Sequence, residues 1–285
     1  MHFGVNLNNR EALIAPNYDV SALLDLSATV ERLGFDSIWV GDSLFSKPRY
    51  EPLSLLSAIS QRTKTAQLGT ACLVTATRDP LYLALEWATL DVISGGRTIL
   101  GACMGNAGME DGVRREYAAV GLDHKQRAWI FEEGLEVLRE LWTNGEVDFH
   151  GKHFDYDNVA FHSGTEPAPI LPLQRPPPMW IVSNPRMIHG IEEGDMKHNI
   201  NRASRRIARL GDGWLTCCRA KHSDELVEQL SVIAAARDEE GLDMNGFSVA
   251  YQVTMNIADS EAEARAGLDE YIAAYYPEMT KAGTV

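Results

Sequence analysis

A chain of 285 residues, 45% hydrophobic and 23% charged, can bury a sizeable core without disulfides or a structural metal. Its 40 acidic and 26 basic residues give a formal net charge of −14 with the basic residues scattered, so nucleic acid and anionic membrane are excluded as expected partners. No stretch approaches the roughly 20 apolar residues of a membrane span, and the N-terminus runs straight into a strand pattern rather than a leader.

Short apolar runs then alternate with helical periods. Phe3–Asn8 is the first predicted strand. Val20, Leu23, Leu24, Val30 and Leu33 follow helical spacing, and Gly34 supplies the stop. Ser37–Val40 is a buried strand ending at Gly41-Asp42. A helix over Pro52–Arg62 precedes the third strand, Gln67–Val74, and a helix over Leu81–Ile93 precedes the fourth, Thr98–Cys103. Lys125–Trp142 is a long amphipathic helix. Residues 143–177 are rich in Pro, Gly, His and Asp without helical period and form an insertion, after which Met179–Val182 resumes as the fifth strand. A polar excursion at about 186–200 leads to a helix over Ala203–Leu210 and a sixth strand, Gly213–Cys218. Ser223–Glu240 is helical, Ser248–Ile257 is the seventh strand, and Glu261–Tyr276 is helical again.

Repeated strand-then-helix units imply a parallel sheet with right-handed crossovers. No phosphate loop of the GxGxxG or GxxxxGK[ST] kind follows the first strand, which disfavours an open doubly wound sheet. The expectation is α/β, a single (β/α)8 TIM-type barrel domain over residues 1–285 whose last β/α unit is missing from this chain. Such a barrel does its chemistry at the C-terminal ends of its strands. That rule nominates Asn6 and Asn8, Asp42 and Ser43, Ala71 and Cys72, Met104 to Asn106, Ser183 and Asn184, and Thr216 to Cys218. Arg97, before the fourth strand, stands at the opposite end and reads as a stability residue, while Arg78 either lines the site's mouth or pairs with Asp79 or Glu86. Cys72, Cys103, Cys217 and Cys218 show no zinc spacing and read as small buried thiols of a reduced, cytoplasmic protein. The histidines His150, His153, His162, His189 and His198 fall in the two irregular segments, and no metal motif is visible.

Several runs in order resemble the luciferase-like flavin monooxygenase superfamily. They are Leu33–Asp42, Leu68–Val74 with Arg78-Asp79-Pro80, Ala88–Arg97, Arg127 through Glu132-Glu133 to Trp142, Gly151–Phe154 and Ala208–Trp214. The resemblance implies a barrel holding a flavin at its strand ends, with a non-proline cis peptide at Ala71-Cys72 against the ring. Asn6, Asp42, Ala71, Cys72 and Met104 are then expected around the ring, with Ser183, Asn184 and Arg205 near the phosphate. Relatives that use the deazaflavin F420 to oxidise sugar phosphates carry a histidine and a glutamate where this chain has Ser43 and Asn106. The leading expectation is therefore a two-component monooxygenase, using reduced FMN from a separate flavin reductase and O2 on a small-molecule substrate, with Ser43, Asn106 and Asn8 as catalytic residues. The alternatives are an F420-dependent hydride-transfer oxidoreductase and a non-catalytic flavin-binding partner subunit. Segments 100–125 and 186–200 would serve as lids, and a homodimer is expected.

Overall fold

Every strand of the main sheet is short and most are buried on both faces, as parallel strands between helices must be. The computed structural model describes residues 1–10, 19–45, 47–105, 111–161, 170–184, 193–217 and 223–275. Strands β1 (Gly4–Leu7), β2 (Ser37–Val40), β3 (Gln67–Thr70), β5 (Thr98–Cys103), β8 (Met179–Val182), β9 (Gly213–Thr216) and β10 (Ser248–Tyr251) neighbour one another in that order, and β4 (Leu73–Val74) pairs with β5. The pairings from β1 to β9 are parallel. The result is a curled, incomplete barrel: among the described residues no strand follows β10 in the sheet. A separate antiparallel hairpin, β6 (Glu146–His150) and β7 (Asp155–Ala160), stands outside it.

The helices are α1 (Val20–Arg32), α2 (Pro52–Ser60), α3 (Pro80–Ser94), α4 (Asp111–Ala119), α5 (Arg127–Asn144), α6 (Glu193–Leu210), α7 (Ser223–Glu239) and α8 (Glu261–Tyr275). Their ends follow from local chemistry. Asp79 caps α3 by accepting from the N–H groups of Leu81 and Tyr82, Pro80 occupies the first turn, and Gly95 closes the helix in the left-handed region at φ 77°. Met1–Ala250 form one compact unit and Tyr251–Val285 another. No described helix is long and apolar enough to cross a membrane.

Two apolar layers cover the helical side of the sheet. Leu7, Ile38, Val40 and Leu68 pack with Leu23, Val30, Leu56 and Ile59 of α1 and α2. Leu100, Ala102, Met179, Ile181 and Trp214 pack with Trp87, Leu138, Trp142, Ile207 and Ile233 of the later helices. Trp142 keeps its indole N–H satisfied inside this layer by donating to the Ala84 carbonyl at 2.9 Å. The opposite, inner face carries a smaller cluster of Trp39, Ile99 and Leu215, with Ala71, Trp180, Val182 and Ala250 against it.

At the N-terminal ends of the strands, Arg97 has the structural role expected of it. Its guanidinium donates to the carbonyls of Ser94, Ala66, Ser60 and Thr63 and to the Thr63 hydroxyl, tying α2, α3 and the start of β3 together. Glu31 of α1 does the same for the turn before β3, accepting from the N–H groups of Lys64, Thr65 and Ala66 and from the Thr65 hydroxyl.

Several elements differ from the sequence expectation. The third strand is broken after Thr70 and resumes at Leu73. The seventh ends at Tyr251 rather than residue 257, because alternating Val253, Met255 and Ile257 are all exposed and lack the half-buried surface that alternation implies. Part of the polar excursion is the first half of α6, which begins at Glu193, ten residues earlier than its apolar period suggests. The insertion contains the β6–β7 hairpin, and α4 forms within the expected lid, burying Val113, Glu116 and Tyr117.

The Glu31 network makes a pH-dependent contribution. Partial burial opposes the charge, but the hydrogen bonds from Ala66, Thr65 and Lys64 outweigh it and hold the pKa down to about 2, against 4.5 for an ordinary glutamate. Its stabilisation is fully present above the unfolded value and is lost as pH falls from there through the folded value. Urea unfolding of wild type and Glu31→Gln between about pH 6 and pH 3 should show a stability gap that is constant at the upper end and narrows below about pH 4.5. A gap that stays constant throughout would contradict this role.

Candidate cofactor site

Parallel register sorts the inner-face residues into tiers. Asn6 pairs in register with Trp39, Trp39 with Gly69, and Gly69 with Ile99. One step along, Gly101 pairs with Trp180 and Trp180 with Gly213. The indoles of Trp39 and Trp180 meet with centroids 5.2 Å apart and make an aromatic floor. Gly69 is required there, since a Cβ would run into the Trp39 ring. At the C-terminal strand ends, Asn8, Ala71, Cys72, Ser183 and Asn184 are each half-buried, while Asn6 is exposed one tier lower; Met104, expected beside the ring, packs instead against the helical-side cluster.

The break in the third strand shapes the middle of this end. The Ala71–Cys72 peptide is cis, as the resemblance implied. Beyond it, Asp42 at the end of β2 accepts from the Val74 N–H at 2.9 Å and takes a two-pronged bond from Arg78, at 2.7 and 3.1 Å. The Asp42 side chain is only 4% exposed. Its carboxylate, expected to face a cofactor, is instead spent on the strand break and its flanking turn. Arg78 is correspondingly paired with Asp42, with Glu51 at 3.6 Å, rather than with Asp79 or Glu86.

Ser43 is also tied into the protein. Its hydroxyl donates to Glu116 at 3.0 Å and accepts from the Lys47 N–H at 3.0 Å, while the Phe45 N–H donates to the same Glu116 oxygen. Glu116 is buried and joins the loop after β2 to α4. Asn184 accepts from the Thr216 hydroxyl at 2.8 Å and the Cys217 N–H at 2.7 Å, pinning the end of β8 to that of β9. The Ser183 carbonyl takes the Trp214 indole N–H at 3.1 Å. The Met104 carbonyl takes the Tyr117 hydroxyl at 2.7 Å, and burial pushes the Tyr117 pKa up. Asn8 accepts from the Arg10 N–H at 3.4 Å.

Two expectations change with this geometry. Cys72 and Cys103 are joined as a disulfide across β4 and β5, with Cα atoms 5.9 Å apart, so they are not two independent thiols. Cys72 lies in the interruption of the third strand, directly before β4 pairs with β5 through Leu73–Ala102 and Val74–Cys103. Arg205 is not brought to the strand ends: it lies on the exposed outer side of α6, beside Trp129 and Glu240. Asn106, Cys218, His162 and His189 lie outside the described residues. Asp148, His150 and Asp157 bring ligand atoms within 4.8 Å of one another on the hairpin, but all three are exposed and His150 is held by Asp155 at 2.6 Å.

Asn9 and Glu116 were not nominated by the sequence. The Asn9 amide donates to the carbonyls of Gly41 and Tyr50, and its oxygen accepts from the Gly41 N–H and from Arg49. β1 has already ended at Leu7, so strand parity no longer describes where Asn9 points. Glu116 shares a helical face with Val113 and Tyr117, a period that a nine-residue helix shows only faintly.

The family model described as luciferase-like monooxygenase matches residues 1–189, and the chain belongs to that family. The F420-dependent glucose-6-phosphate dehydrogenase of Amycolatopsis mediterranei is 32% identical over 157 residues, covering 52% of this chain and 46% of that protein. The enzyme of the same name from Segniliparus rotundus is 26% identical over 255 residues, covering 85% and 66%. The chain thus spans between about half and two thirds of the length of these curated relatives. Among solved structures, monooxygenase RslO1 from Streptomyces bottropensis superposes with a TM-score of 0.71 at 22% identity, over 95% of this chain and 76% of that one. The F420-dependent tetrahydromethanopterin reductase of Methanopyrus kandleri gives 0.68 at 20%, over 92% and 68%. These likenesses establish the shared fold.

The Asp42–Arg78 pair should behave as one unit. Asp42→Ala and Arg78→Ala are each expected to cost about 3 kcal/mol, because each strands a partner in a mostly buried site. The double variant should cost little more than either alone. Losses in urea unfolding that simply add would show that the pair is not coupled.

Proposed function

We propose that the chain is an oxidoreductase that seats a flavin-type ring on the inner face at the C-terminal ends of β3, β5 and β8. The observation that supports this reading is that Ala71 packs over the Trp39–Trp180 floor, with half-buried Cys72, Asn8 and Asn184 at the same C-terminal strand ends. A flat, mostly apolar ring with polar edges needs a slot of that composition. Ala71 and Cys72 would lie against the ring, and Ser183 would meet the phosphate. Asn6 and Asn8 would bond the polar edge or the substrate. The bound group would supply the redox chemistry; the protein's own residues hold it, orient the substrate and exclude water.

The first choice of cofactor is reduced FMN supplied by a separate reductase, with O2 as co-substrate and a small organic molecule oxygenated. Ser43 supports it: at the position where the F420-dependent sugar-phosphate dehydrogenases carry a basic histidine, this hydroxyl is engaged by Glu116 and the Lys47 N–H. Asn106 would be the remaining polar contact on that side. The second reading, hydride transfer with F420, is favoured by the names of the curated relatives. Those relatives are named as enzymes, which favours catalysis over a non-catalytic flavin-binding subunit. A homodimer in the cytoplasm remains part of this proposal.

Calorimetric titration with FMN and with F420, followed by rapid mixing of the reduced FMN complex with O2, separates the readings. The FMN reading expects FMN to bind and the oxidised FMN spectrum to return at least about tenfold more slowly than from free reduced flavin, since water is kept from the ring. Return at the free-flavin rate would sink it, and selective binding of F420 would transfer the proposal to hydride transfer.

A further inference from the structure

The chain is acidic overall, yet one groove collects guanidinium groups that the cofactor proposal does not use. It lies between α5 and α6 on the outer, helical side, with a volume of about 300 Å³. Arg202, Arg205, Arg206 and Arg209 line it from α6, with Trp129 and Glu132 of α5 opposite and Glu240, just past the end of α7, as its second carboxylate against the four guanidinium groups. The helix geometry explains the segregation: Ile207, Ala208 and Leu210 are buried toward the sheet, while Arg202, Arg205 and Arg209 face outward.

The charges in the groove are not balanced. Glu132 answers both Arg206, at 2.8 Å, and Arg209, at 2.6 Å, and Arg209 has a second partner in Glu136. Arg202 and Arg205 have no ion-pair or hydrogen-bond partner among the described residues. Arg206 is only 9% exposed, and its terminal nitrogens are likewise without a partner among the described residues; its one hydrogen bond is made through Nε. Arg127, at the head of α5, feels the crowding: burial lowers its pKa first, and repulsion from Arg206 and Arg202 lowers it further. Its buried Nε has no hydrogen-bond partner. Concentrated, partly desolvated like charge of this kind costs stability unless an anion shares the site.

We propose that this groove binds the phosphate group of a small molecule, at a site distinct from the cofactor slot. Guanidinium forks match phosphate oxygens two at a time, and a phosphate dianion supplies the charge that Arg202, Arg205 and the terminal nitrogens of Arg206 lack. Trp129, 56% exposed, offers a flat apolar surface at the groove's edge, with the Lys152 ammonium 5.6 Å from its ring centre. The occupant is either inorganic phosphate or an ester whose body lies on Trp129. The site is on the opposite side of the sheet from the Trp39–Trp180 floor, so it does not depend on which cofactor the slot takes.

The test is a titration of wild type and the double variant R202Q/R205Q with inorganic phosphate and, separately, with phenyl phosphate. Ionic strength is held constant with chloride, and melting temperature and tryptophan emission are followed. Both substituted side chains are exposed, so the variant should fold, which circular dichroism checks. Wild type is expected to show saturable stabilisation and a change in emission, with binding weakened at least tenfold in the variant. Tighter binding of phenyl phosphate identifies an ester as the occupant, and equal or weaker binding identifies inorganic phosphate. No saturable response in wild type, or the same affinity in the variant, would overturn the proposal, the latter by assigning phosphate to another site.

Discussion

One carboxylate organises the C-terminal strand ends of this sheet. Asp42, nearly excluded from solvent, holds both Arg78 and the Val74 N–H, and through them fixes where the chain resumes after the break at Ala71–Cys72. A strand that continued straight through these residues would keep a regular ladder. At the break Cys72 is joined to Cys103 and Ala71 lies over the tryptophan floor. A buried charge pair with two forked bonds specifies that geometry more narrowly than apolar packing can, because losing either partner strands the other.

The remaining contacts extend the same constraint around the strand ends. Asn9 stitches the end of β1 to Gly41 and Tyr50, Glu116 holds the loop after β2 against α4, and Asn184 links β8 to β9. None of these side chains has to touch a ligand to matter: each fixes a backbone segment from which a contacting residue projects. At the other end of the sheet, Arg97 and Glu31 do comparable work on the turns entering β3. The division between a stabilised base and a shaped upper end suits a fold that carries its chemistry on one side.

Much of this was legible in the sequence, and the exceptions have physical causes. Ser37–Val40, Thr98–Cys103 and Met179–Val182 are continuous apolar runs, and the structure forms strands with those bounds. What could not be read was the use of side chains whose partners lie far along the chain. Asp42 and Ser43 stand at strand ends, where ligand contacts are expected, yet their partners Arg78 and Glu116 are 36 and 73 residues away. Arg205 failed for the opposite reason: proximity in sequence to the sixth strand says nothing about which side of α6 it occupies. Of the ten residues added to the start of α6 only Met196 and Ile200 are apolar, too few to announce a helical period.

The central claim is that a flavin-type ring rests on this upper inner face. Hydrogen-exchange mass spectrometry with and without saturating FMN, or F420 should that bind more tightly, tests it directly. Cofactor binding should slow exchange in peptides covering residues 70–74, 103–105 and 182–184 and leave the α5–α6 groove unchanged. Protection confined to other peptides, with these three unaffected by a cofactor that demonstrably binds, would contradict it.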